Sequence, residues 1–83
     1  MISEVRMRTG VPAPFADIEF ILAHVQVREG HPPLASFTVV ADEEQDYDLV
    51  PGDTFVVRGE TWVFDRVQDV PDRGRYAVLK RVE

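Results

Sequence analysis

Cysteine is absent from this 83-residue chain. That removes disulfides, thiolate metal centres and thiol nucleophiles together, and it leaves the redox compartment open. Histidine is scarce: His24 and His31 are the only two, and no H-x-x-x-H spacing exists, so no metal site is expected. Serine is as thin. Only Ser3 and Ser36 occur, and neither sits in the Gly-x-Ser-x-Gly turn that exposes a hydrolase nucleophile. No glycine-rich loop is laid out to cradle phosphates, and no cofactor is expected. Long apolar runs are missing too. Ile18 to Val27 is too short to span a bilayer, and Asp17, Glu19 and His24 flank or interrupt it. The N-terminal residues lack the charged-then-apolar layout of a signal peptide, so a cytoplasmic setting with no membrane contact is expected.

Positive charge is also short. The net charge is −6, and it is uneven: residues 1–57 carry ten acids against three bases, whereas residues 58–83 carry five against six. The acids gather at Asp42, Glu43, Glu44, Asp46 and Asp48, a surface that repels a phosphate backbone, so nucleic acid is not an expected partner.

What the chain does contain is strand patterning broken by turn residues. Ser3 to Thr9 alternates polar residues with Val5 and Met7. Residues 10–14, with prolines at 12 and 14, are expected to form a stiff connection. Alternation resumes at Ile18, Phe20 and Leu22 and returns out of phase at Val25 and Val27, which calls for a bulge near Ala23 and His24. A helix over residues 15–28, capped by Asp17, is the competing reading, but the Ile18–Phe20 and Val25–Val27 spacings favour a strand.

Loop residues 29–33 lead to a β-branched strand from Leu34 to Ala41, and the acidic segment is read as the turn into Tyr47. Pro51, Gly52 and Asp53, then Gly59 and Glu60, then the break from Pro71 to Gly74 separate three further strands. A second bulge is expected near Asp65 and Arg66. This pattern predicts an all-β domain spanning residues 1–83, a small antiparallel barrel or sandwich of about six or seven short strands. The expected core is Val5, Met7, Ile18, Phe20, Leu22, Val25, Val27, Phe37, Val39, Leu49, Phe55, Val57, Trp62, Phe64, Val67, Val78 and Val82.

Candidate sites are few. His24, inside an apolar strand, could serve as a general base in a barrel interior; the plainer reading is a bulge histidine that meets backbone or water. His31 reads as a loop residue. The acids Asp42, Glu43, Glu44, Asp46 and Asp48 offer oxygen ligands, but they lack the glycine and closing glutamate of a calcium loop. They read better as a contact for a basic partner, or as charge that keeps a strand edge from pairing. Trp62 reads as a core anchor. If it faced an opening with Tyr47 and Arg66, it would instead line a shallow ligand site. Charged residues from Asp65 to Arg75 are expected to pair across strands.

Tyr47, Leu49, Pro51, Gly52, Asp53 and Phe55, followed by Gly59 to Trp62 and by Tyr76 to Val82, resemble small uncharacterised β-domain proteins of actinobacteria. The resemblance implies a compact bacterial β-domain and no particular activity. Two functional expectations follow. The first is a non-catalytic accessory domain that meets a protein partner, or a second copy, through an edge strand or the acidic face. The second is a small-molecule-binding barrel or minimal acid/base enzyme built on His24, Tyr47, Trp62, Arg66 and Tyr76. A closed cavity reaching His24 would favour the second; a filled interior with an extended edge strand buried against another copy would favour the first.

Overall fold

Turn chemistry places the strand ends. The computed structural model describes residues 3–82; Met1 and Ile2, which begin the stretch compared with a signal peptide, and Glu83 lie outside them. Eight strands follow in order: β1 Glu4–Arg8, β2 Ala13–Phe15, β3 Ile18–Gln26, β4 Leu34–Val40, β5 Glu44–Leu49, β6 Thr54–Val57, β7 Glu60–Val70 and β8 Gly74–Val82. Arg58 and Gly59 join β6 to β7 with φ of 52° and 78°, the paired positive values of a two-residue type I′ hairpin. Arg73 N–H closes the β7–β8 turn on the Val70 carbonyl at 3.0 Å.

Every pairing is antiparallel, and the strands form two four-stranded sheets, β1-β8-β7-β6 and β2-β3-β4-β5. Around the molecule the strands run in chain order, β8 closing on β1. The topology is an up-and-down barrel parted at two places, β1/β2 and β5/β6, so the barrel is not closed. At the first seam, among the described residues, an Arg8–Val11 bridge and a Gly10 N–H to Leu22 carbonyl bond of 3.4 Å cross the corner. At the second, residues 50–53 carry the chain from one sheet to the other, and no ladder joins the two edges among the described residues.

The all-β expectation holds, with more strands than the six or seven expected. β2 is one addition. Its Pro14 pairs only toward β3, because a proline without an N–H is tolerated on an edge. The acidic stretch is the other revision. Only Ala41 to Glu43 turn, and from Glu44 the acids already belong to β5.

Both expected bulges are present. Register shifts between Leu22 and His24 and between Phe64 and Arg66, leaving Ala23 and Asp65 as the extra residues. The space between the sheets is filled by Trp62, Phe20, Phe37, Phe64, Met7, Leu22 and Leu79. Trp62 is fully enclosed and meets Phe15 edge-on at 5.1 Å between centroids and Phe20 at 5.2 Å. Ala35, Ala77 and Leu79 join the core unexpectedly. Val27 and Val82, expected inside, are 60% and 50% exposed, because each lies at or beyond a strand end, where nothing covers it. Val25, Leu49 and Val67 pack partly buried against the core.

Val78 is a separate case. It alternates outward between the inward Ala77 and Leu79, yet it has no exposed surface. Arg6 on β1 and Arg66 on β7 flank it in register, and the aliphatic stems of such long cations cover apolar surface.

Candidate functional site

β5 ends its sheet, so one side of its backbone is free for pairing. Side chains alternate along it. Tyr47 and Leu49 turn toward the core, and Tyr47 stacks on Phe37 at 5.6 Å and leans on Phe55 at 5.0 Å. Glu44, Asp46 and Asp48 take the opposite, solvent-facing side. Two of these carboxylates are held in place by β4. Ser36 Oγ donates to Asp48 Oδ1 and Thr38 Oγ1 donates to Asp46 Oδ1, each at 2.6 Å. Both pairs sit directly opposite in the β4–β5 register, so the strand pleat itself sets the contacts. Each carboxylate keeps a second oxygen for another partner.

The remaining two acids lie in the β4–β5 turn. Arg58 reaches Asp42 in a fork, Nε to Oδ2 at 3.3 Å and NH2 to Oδ1 at 3.1 Å, and pairs with Asp17 as well. Asp17 belongs to the β2–β3 turn, so one guanidinium ties three turns and both sheets together. Its hydrogen bond to Arg58 holds the Asp17 carboxyl below the usual carboxylate value. Arg58, Asp42, Glu43, Gln45, Tyr47 and Val56 line a hollow of about 280 Å³ over the β5/β6 seam. The acidic cluster is therefore split: Asp42 is tied across the two sheets by Arg58, whereas Glu44, Asp46 and Asp48 stand along a strand edge, the last two steadied from β4.

His24 lies outside, not in a barrel interior. The Ala23 bulge reverses the side-chain parity, so His24 pairs with Ser36 on the solvent face and is exposed. It shares an open groove of about 400 Å³ with Ser36, Thr38, Asp46 and Asp48. In this row Ser36 donates to a carboxylate rather than to an imidazole, which is not the nucleophile–base order of an acyl-transfer site. Among the described residues, no group of three or more His, Asp or Glu side chains is arranged to hold a metal ion.

The five residues of the ligand-site expectation do not converge. Trp62 is core, whereas Tyr47, half-buried at the β5/β6 seam, also borders the open groove of His24 on the outer face of the β2–β5 sheet. Arg66 and Tyr76 are on the outer face of the other sheet. There Arg66 binds Asp65 at 2.6 Å and Glu4 at 3.4 Å, and Lys80 stands 3.6 Å from Asp65. The Arg66 hydrogen bond holds the Asp65 carboxyl below its usual value. The filled interior leaves no room for the barrel-type ligand site that this set required.

Sequence reasoning passed over Ser36, Thr38 and Arg58 as partners of the acids. The first two were legible in principle, since β4 and β5 are hairpin neighbours with alternating polar residues. Arg58 was not, because its contacts cross from one sheet to the other.

Among the described residues, no helix is long and apolar enough to cross a membrane. Comparison with curated proteins and with solved structures gave no match. A model described as a family of unknown function, DUF6406, matches residues 2–83, so the similarity runs through both sheets and the chain belongs to that family.

Proposed function

We propose that the protein is a non-catalytic interaction module of the bacterial cytoplasm that takes a basic, extended segment of a protein partner along β5. The observation that carries this reading is the placement of Glu44, Asp46 and Asp48 on an unpaired edge strand. Strand addition supplies affinity through the backbone, and alternate side chains supply specificity. Lysines or arginines at every second position of an added strand would meet the three carboxylates on one face. The same charges oppose pairing of β5 with another β5, since like charges would stand across the dyad. The resemblance of the C-terminal half to actinobacterial domains supports the bacterial setting.

The test is a titration with an extended peptide carrying lysine at alternate positions. Binding is expected to weaken as salt rises and to fall about tenfold or more in a Glu44→Gln, Asp46→Asn, Asp48→Asn variant. Binding that ignores both salt and the three substitutions would falsify the β5 proposal.

A second copy is the competing partner, favoured by β6. Thr54 to Val57 form an edge without charge, and Val56 is 60% exposed there. Sedimentation separates the two, because a β6 dimer depends on protein concentration and is indifferent to the acids of β5. The small-molecule or acid/base reading built on His24 rests on its exposed groove. A His24→Ala variant with unchanged ligand and partner binding would end it.

A further inference from the structure

The β1/β2 seam is the opposite of the β5/β6 seam in charge. It forms a groove of about 480 Å³ that carries Arg6, Arg8 and Arg73 against a single carboxylate, Glu4, with Tyr76 beside them and Phe15 among its apolar lining. Arg6 is occupied by Glu4 at 3.1 Å. Arg8 and Arg73 have no carboxylate partner among the described residues, and the Tyr76 hydroxyl has no hydrogen-bond partner there. The register explains the gathering. Arg8 stands opposite Tyr76, and Arg73 lies in the turn that feeds β8, so two free guanidinium groups and a phenol meet at one end of the seam.

We propose that this seam is a binding site for a small organic anion carrying a carboxylate or phosphate group. Arg8 and Arg73 supply planar, permanently charged donors that match such groups in pairs. Tyr76 adds a neutral hydroxyl, and Phe15 with Pro12 and Pro14 gives the anion's apolar body a surface to cover. The volume falls within the range of small-ligand pockets, roughly 300–1,000 Å³. A long polyanion is disfavoured. Beyond the seam it would run onto a molecule of net charge −6, whereas a small anion is governed by the local arginines.

The experiment is a calorimetric titration at low ionic strength with phenyl phosphate, benzoate and inorganic phosphate. Phenyl phosphate or benzoate is expected to bind more tightly than inorganic phosphate, because only they cover the apolar lining. An Arg8→Gln, Arg73→Gln variant is expected to lose about tenfold or more in affinity. Its thermal midpoint should stay put, since neither side chain has a partner to lose. Arg8→Lys should restore only part of the binding, because an ammonium cannot offer the planar fork. Absence of binding for all three anions in the parent protein overturns the proposal, and so does unchanged affinity in the double Gln variant. Tighter binding of a glutamate-rich peptide than of any small anion also overturns it, by assigning the seam to a protein ligand.

Discussion

Trp62 has no exposed surface, and its ring is bracketed by Phe15 and Phe20 from the facing sheet. Truncation there removes the largest enclosed side chain and leaves a cavity that β-strands close poorly. Trp62→Ala is expected to cost about 3–5 kcal/mol in urea denaturation, a large share of the ~5–15 kcal/mol that holds a typical domain folded. Two turn residues make a second comparison at this scale. Ala16 and Arg58 both have positive φ, 54° and 52°, where a side chain is strained. Ala16→Gly relieves that strain, less the greater unfolded freedom of glycine, and should gain about 0.5–1 kcal/mol. Arg58→Gly gains the same relief and loses the contacts to Asp17 and Asp42. It is therefore expected to stabilise less than Ala16→Gly, and the gap between the two melting curves measures the bridge.

Strand β5 combines an open backbone edge, an inward aromatic and three outward acids. Without the acids it would be a flat, pairable edge. The Glu44→Gln, Asp46→Asn, Asp48→Asn variant should therefore self-associate more than the parent when no partner is present, as light scattering would show. Ser36→Ala with Thr38→Ala leaves the carboxylates exposed to water, so a loss of stability is expected without new association.

Much of this element level was legible in the sequence, because alternation and Gly/Pro punctuation are local. The Leu22 to Val25 phase break marked one bulge and the Phe64 to Val67 break the other, as the register shifts bear out. β2 was hidden by its prolines, and the start of β5 by acids that resemble turn residues. Val27 and Val82 continue the period past the point where a covering sheet exists. Alternation records which way a side chain points and is blind to where the opposite sheet stops. The seams were not legible, since a parted barrel depends on which edges fail to meet. The groove of Arg8, Arg73 and Tyr76 joins residues nearly seventy positions apart by the β1–β8 pairing, and no local pattern announces that.

At the scale of the molecule, the charge balance differs by seam: Arg6, Arg8 and Arg73 outnumber Glu4 at β1/β2, whereas Asp42 and Glu43 outnumber Arg58 at β5/β6. Its pH response follows from Asp17 and Asp65, whose carboxyls are held below their usual values by Arg58 and Arg66. A depressed carboxyl stabilises the fold fully above its unfolded value and loses that contribution as pH falls through the folded one. The thermal midpoint is thus expected to be insensitive to these groups above about pH 5 and to decline below about pH 4. Asp17→Asn with Asp65→Asn should flatten that acid limb, and an unchanged limb would show that other carboxylates govern it. The two sheets behave as the covers of a book. The Thr9–Gly10 corner is its spine, the β5/β6 gap its fore-edge, and Arg58 the clasp across three turns. Acid that protonates Asp17 weakens the clasp while the spine, made of backbone, is untouched. Opening should then begin at the fore-edge, with the amides of β5 and β6 exchanging with solvent before those of β1 and β8.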